Sequence, residues 1–428
     1  MRTVLSPSSN VGQASSLSAT RKRQAGSLSY IATALTAILC LTGCGQRPAV
    51  KPVRLPHDKP LAAYQNQLLD LAFETATMIP VNPHIKDRSR SQEAVVTASF
   101  ELVQPQRALG YIEKIGDWRR GAGYADYAFY CAQHGFTNDV QHYLTLAEQI
   151  SAIADQDWRR DRIKIKISRT HTLLGQTRQA DQFSTGVESS ESGKVAQVEA
   201  MISDVDDFDS QIKNIDDLIA SGNFDLVKNA LYACAELFNR FYDHAEHRAQ
   251  AEEKIKASWN LLPLFVRIEL LMELSGVALQ HTDSPKALEL VKEAKAILDG
   301  ATWSAEYQIP LAARLAGLHF RCGSTNGARA ELQATLDLFK EKQSEIINID
   351  KAETLIPVAE AFQVMGDTAS ALAVYKQAVE AAVENPNSRP RAEDISAICL
   401  SMAKYKVESD AALWMRIREI KGALSDPW

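Results

Sequence analysis

Between Ala352 and Ala382 the chain reads AETLIPVAEAFQVMGDTASALAVYKQAVEAA, two helical patterns that meet at one glycine-centred turn. Gly366-Asp367 breaks the pattern. Before it, Ala359 stands where two helix axes approach closely; after it, Ala371, Tyr375 and Ala378 recur at steps of four and three on one face. An αα-hairpin of this kind cannot bury its apolar face alone. It demands stacked neighbours, and so constrains the whole chain.

Those neighbours can be found by aligning Gly366 on earlier loops. The turn position falls on Gly135, Gly175, Gly222 and Gly323, with Thr282 in one unit. Five residues after each stand Val140, Ala180, Val227, Ala328 and Ala287; seven before stand Ala128, Ser168, Ala316 and Ser275, with Ile215 as the exception. An independent sign is Asp117-Trp118-Arg119-Arg120, repeated as Asp157-Trp158-Arg159-Arg160 at an offset of 40 residues.

This set of small residues, turn glycines and one aromatic resembles the tetratricopeptide repeat (TPR), with only the closing proline displaced, to Pro386. The spacing is longer than the usual unit of about 34 residues. The resemblance implies an all-α, right-handed solenoid of about seven or eight degenerate TPR-like hairpins whose first helices line a groove for proteins or peptides.

Residues 1–43 run from a basic, Ser-rich start through Arg21-Lys22-Arg23 and the apolar stretch Tyr30 to Leu41, then close on Leu41-Thr42-Gly43-Cys44. The apolar stretch is too short to span a bilayer of roughly 30 Å. It is similar to a bacterial lipoprotein signal peptide, which implies cleavage before Cys44 and acylation of its thiol, and hence a palmitate-type lipid anchor in the membrane. Gly45 is not the aspartate associated with inner-membrane retention, so the expected address is the cell envelope, on the outer membrane facing the periplasm. Residues 44–60 carry Pro48, Pro52, Pro56 and Pro60 and read as a Pro-rich tether.

From Leu61 the pattern is helical throughout, with N-terminal repeats expected over 61–183, an irregular acidic junction over 184–256, and C-terminal repeats over 257–428. The junction opens on STGVESSESG, a loop-like composition, and continues with Asp204, Asp206, Asp207 and Asp209. Leu61 to Met78 reads as a preceding helix, Glu93–Leu102 with Arg107–Ile115 as an early hairpin, and Arg391–Lys404 with Asp410–Leu424 as a terminal pair covering the last open face, Ser409 capping the latter helix.

Chemistry-bearing patterns are weak. Removing residues 1–43 takes the formal net charge from −6 to −10, which disfavours nucleic acid as a partner. Cys131, Cys234, Cys322 and Cys399 have no metal or redox spacing and read as small packing residues. The aspartate run lacks the glycine and terminal glutamate of a calcium loop. His244 and His247 share a helix face without a third ligand, and His171 and His319 fall at packing positions. Tyr124, Tyr127 and Tyr130 read as core before binding platform. The absence of G-x-S-x-G and of any phosphate loop leaves no residue for catalysis, metal or cofactor.

What remains is a binding role. Groove positions of the resemblance include Phe129, Arg162, Arg169, Phe320, Arg321, Glu360 and Gln363. The expected function is a membrane-anchored protein-protein interaction scaffold, with an envelope assembly or transport component as the alternative and a cell-wall glycan enzyme as a third, less favoured possibility.

Overall fold

Residues 56–428 are described by the computed structural model, and among them every regular element is a helix. The expected signal peptide, Cys44 and residues 45–55 lie outside the described residues. In order the helices are α1 (Ala63–Met78), α2 (Val81–Glu101), α3 (Pro105–Ile112), α4 (Arg119–Gln133), α5 (Val140–Ala152), α6 (Asp157–Leu173), α7 (Thr177–Ser184), α8 (Ser189–Ile202), α9 (Phe208–Ala220) and α10 (Phe224–Arg240). They continue as α11 (Ala245–Ser258), α12 (Leu264–Gln280), α13 (Ser284–Asp299), α14 (Ala305–Arg321), α15 (Thr325–Lys342), α16 (Asn348–Val364), α17 (Thr368–Val383), α18 (Ser388–Tyr405) and α19 (Ala411–Gly422). None of these helices is long and apolar enough to cross a membrane.

The turn after α16 shows why the pattern breaks at Gly366. Its φ of 77° lies in the left-handed region, which lets the Asp367 N–H donate back to the Phe362 carbonyl at 2.9 Å. Asp367 Oδ1 then accepts from the Ser370 N–H at 3.1 Å and starts α17. The turn after α12 repeats this with a poorer residue: Thr282 is held at φ 60°, and Asp283 Oδ1 accepts from the Lys286 N–H at 3.0 Å.

The small residues mark where helices touch. Ser168 Oγ on α6 donates to the Ala180 carbonyl on α7 at 2.8 Å, and Ser275 Oγ on α12 donates to the Ala287 carbonyl on α13 at 3.2 Å. Ala128, Ala316, Ala328, Ala359, Ala371, Tyr375 and Ala378 are buried in the same layer.

First helices run parallel to one another: Asp126 on α4 meets Lys166 on α6 at 2.6 Å, with the same 40-residue offset that places Trp118 edge-on to Trp158 at 5.4 Å. The series α2, α4, α6, α8, α10, α12, α14, α16, α18 continues by neighbour contacts, with α3 to α17 as second helices behind. It then returns to its start. α18 packs as closely on α1 as α14 does on α15, and touches α2 as one first helix touches the next. Lys404 on α18 pairs with Glu101 on α2 at 2.8 Å.

The α1–α18 pair is antiparallel. Gln65 Nε2 donates to the Ala403 carbonyl at 2.8 Å, Ser396 Oγ donates to the Ala72 carbonyl at 3.1 Å, and Ile79 meets Ala392. Helix α1 therefore fills the second-helix slot of α18, giving nine hairpin-like pairs among the described residues, one of them made of helices far apart in sequence. One apolar core runs from Leu68 to Ile167 and, across this junction, from Ile309 to Ile420; a second fills the stretch from Ala196 to Leu315. Each end of such a stack would expose an apolar face, and α1 and α18 bury each other's. The expected terminal pair is thus not a simple cover: α19 lies outside, with Arg416 on Glu380 of α17 and Lys421 on Glu74 of α1.

Three local expectations are corrected. The stretch 184–256 is regular helix, α8 to α11, rather than a junction opening on a loop; α8 packs on α10, and Gly222 (φ 64°) turns from α9 into α10, with the Val227 N–H on the Asn223 carbonyl at 2.9 Å as the Ala371 N–H is on that of Asp367. Residues 56–60 are not tether: Asp58 accepts from the Gln106 and Arg107 N–H groups at 2.7 and 3.2 Å, capping α3 from upstream. The cap of α19 is Asp410, accepting from the Leu413 N–H at 2.9 Å, while Ser409 is buried.

Candidate functional site

The side chains that first helices do not spend on the core line the inner wall. On α4 and α6, Phe129 is half-buried beneath the Arg169 guanidinium at 5.0 Å, and Asp126 holds Lys166. Arg162, one turn earlier, donates through Nε to Glu191 of α8 at 3.2 Å and lies over Trp158 at 5.7 Å. Burial opposes charge on Glu191, but Lys194 at 2.5 Å and Arg162 outweigh it and hold the carboxyl below its ordinary range. Three of the groove candidates, Phe129, Arg162 and Arg169, therefore belong to one surface.

The others do not join it. Glu360 on α16 accepts from Ser401 Oγ of α18 at 2.6 Å, and that hydroxyl also bonds Tyr375 Oη at 2.7 Å. Ser401 and Tyr375 are buried and Glu360 half-buried, and loss of hydration raises the Glu360 carboxyl above its ordinary value. Gln363 is half-buried, with Oε1 unpartnered among the described residues. Phe320 lies under Arg329 at 5.4 Å, whose Nη2 donates to the Met365 carbonyl at 2.7 Å, and Arg321 is exposed at the end of α14. Helices α14 and α16 are not neighbours of α4 and α6.

Two inner-wall residues were missed by sequence reasoning. Glu236 on α10 and Glu273 on α12 lie on adjacent first helices within electrostatic range, and neither forms an ion pair among the described residues. Burial, then Glu273, raises the Glu236 carboxyl to about 7; burial raises Glu273 to about 6. Burial likewise lowers the Arg169 guanidinium, against the pull of Asp126, Glu236 and Glu191. The available signal was a single acid inside an otherwise apolar helical run, LYACAELF and LLMELSGV.

Remaining candidates are structural. Tyr127 and Tyr130 are buried, in ring contact with Phe100, and Tyr124 is half-buried against Tyr143. His247 stacks on Phe208 at 4.1 Å, His171 bonds Gln176 at 2.7 Å, and His319 pairs with Glu331 at 2.9 Å. Cys131, Cys234 and Cys399 are buried free thiols. No group of three metal-ligating side chains occurs among the described residues. A hollow of about 500 Å³ on the outer side of α15–α17 is rimmed by Lys351 and Lys376, already paired with Glu384 and Asp410 at 2.5 Å each.

No protein-family model matches the chain, and no curated protein matches it.

Proposed function

We propose that this chain is a TPR-like lipoprotein: degenerate helical hairpins stacked as in a right-handed solenoid but closed on themselves through α1 and α18, anchored through Cys44 to the outer membrane and working as a protein-protein interaction scaffold in the cell envelope. The observation that carries this is the strip formed by Phe129, Arg162, Lys166 and Arg169 on α4 and α6, an aromatic and charged surface outside the core in which Arg162 and Lys166 are paired with Glu191 and Asp126. Arginine and aromatic side chains on rigid elements are the common anchors of protein interfaces. Because α1 closes the stack onto α18, the wall keeps its curvature without a partner to brace it, so little ordering has to accompany binding. Acyl chains at Cys44, each contributing about 0.8 kcal/mol per buried methylene, would concentrate that wall at the membrane.

Crosslinking in the native envelope tests the scaffold. The double charge reversal Arg162→Glu with Arg169→Glu should keep the circular-dichroism spectrum and lose the crosslinked species; an unchanged crosslink pattern would discard the proposed surface. Palmitate labelling tests the address separately, since label retained in Cys44→Ser would rule out the anchor.

A further inference from the structure

We propose that the rim of the stack that carries the N-termini of the first helices rests on the interfacial zone of a phospholipid bilayer and inserts its exposed apolar side chains there. The contact deepens the lipid-anchored reading above and rests on it.

The first helices are level with one another, so their N-termini form one rim. Contacts join matching heights: Asp126 of α4 meets Lys166 of α6 at 2.6 Å, and Asn239 meets His281 at 3.2 Å where α10 and α12 end. Phe265 and Tyr307, at the starts of α12 and α14, have ring centres 6.4 Å apart, and Glu360 of α16 meets Ser401 of α18 at 2.6 Å. Apolar exposure follows this rim. Of eleven large apolar side chains exposed among the described residues, seven lie on the loops that enter first helices or on the first turns of those helices. They include Ile153, Phe224, Leu261, Tyr307, Ile347 and Ile349, with Ile153 at 80% and Ile347 at 58% exposure. The opposite rim has three, Val103, Ile202 and Val205.

Local preference does not put these residues there. Ile347 is the N-cap of α16, where Ser, Thr, Asp or Asn would accept from a free N–H, and its side chain makes no such bond. Trp158, Trp259 and Trp303 stand half-buried at the same end, and tryptophan and tyrosine gather where an apolar layer meets water. Neighbouring helix axes are about 8–10 Å apart, so the exposed side chains are strung along the rim and not gathered at a centre. A protein partner is gripped through a central cluster. A fluid lipid interface needs no matching pocket and takes side chains singly, in proportion to the apolar area buried.

The tether permits this seating. The chain enters on the opposite rim, where Gln106 Nε2 donates to the Pro56 carbonyl and the Lys59 N–H to the Val103 carbonyl, both at 2.9 Å. A first helix of 17 residues such as α10 is about 25 Å long. The dozen residues leading from Cys44 to Pro56 would span about 37 Å if fully extended, so an acyl group at Cys44 can reach the lipid beneath the far rim.

The test uses the full-length acylated chain in vesicles of equal parts phosphatidylethanolamine and phosphatidylglycerol whose acyl chains carry a nitroxide quencher. A bimane on Leu261→Cys, Tyr307→Cys or Ile347→Cys should be quenched about threefold or more above one on Val205→Cys, with labelled wild type as the background. The variant Leu261→Ser/Ile347→Ser/Ile349→Ser changes exposed positions only and gives α16 a favourable N-cap, so it should fold. In that variant the bimane on Tyr307→Cys should fall to the Val205→Cys level. Equal quenching on the two rims overturns the contact, as does a detergent-stable dimer that the serine variant dissociates, which would assign the rim to a second copy. Labels unquenched on both rims while palmitate stays on Cys44 remove the contact and leave the anchor standing; vesicles that retain no chain, with no palmitate on Cys44, overturn both.

Discussion

Gln65 and Ala403, 338 residues apart, are joined by a 2.8 Å hydrogen bond from the glutamine Nε2 to the alanine carbonyl. The bond is buried and sits beside Leu68, Leu69 and Ala72, all with no exposure. It ties the first helix to the last first-layer helix, so the chain's end is held like its middle. Gln65→Ala would leave that carbonyl without its partner and should cost about 1–3 kcal/mol. Hydrogen exchange checks the relationship directly: amides of α1 should exchange as slowly as those of α16, and fraying-rate exchange in α1 would mean the stack is open.

Thr282 sits at φ 60° in an exposed turn between α12 and α13, a conformation that a β-branched side chain resists. The corresponding turns place glycine at Gly323 and Gly366. Thr282→Gly should therefore stabilise the protein, by about 0.5–1.5 kcal/mol once the added freedom of the unfolded chain is counted. Urea unfolding of the two proteins would show it as a higher midpoint with an unchanged slope.

Glu236 links stability to pH. Its carboxyl is raised from 4.5 to about 7, first by burial and then by Glu273, with Arg169 pulling the other way. Below the unfolded value both states hold the proton and nothing is lost. As pH rises past it, the unfolded chain ionises first, the native state binds more protons, and stability falls until Glu236 ionises in the fold. Glu236→Gln should match the wild type near pH 4.5 and exceed it by about 1–3 kcal/mol at pH 8. Thermal melts at the two pH values read the difference; a variant less stable at pH 8 would show that the carboxylate is favourably paired.

Helical character and most turns were legible because they are local. The left-handed turn residues and the small residues flanking them obey fixed offsets along the chain, and Phe129 and Arg169 hold the 40-residue offset of the two Asp-Trp-Arg-Arg copies. Closure was not legible, since nothing near Gln65 encodes Ala403. Gly193 shows a subtler failure. It reads as loop composition, yet it lies in α8, where an added Cβ would come within 3.0 Å of the Asn229 Cβ on α10. A glycine that permits close helix approach and one that breaks a helix are the same letter. Glu236 escaped for the converse reason: a lone acid in an apolar run reads as a gap in the core stripe until its neighbours in space are known.

The contact between Ser168 and Ala180 separates size from bonding. Ser168 has no exposure, and its Oγ reaches the Ala180 carbonyl at 2.8 Å, so α6 and α7 meet at a point with room for little more than a hydroxyl. Ser168→Ala keeps the approach and loses only the bond, and should cost about 1 kcal/mol. Ser168→Leu must push the helices apart or leave its rotamer wells, and should cost about 3 kcal/mol or more, since α6 also carries the wall on which Arg162 and Arg169 stand. Equilibrium unfolding of the pair gives the ratio. If the leucine variant lost no more than the alanine variant, the helices would not be in close contact there, and the small residues at Ser275, Ala316 and Ala359 would lose their meaning as well.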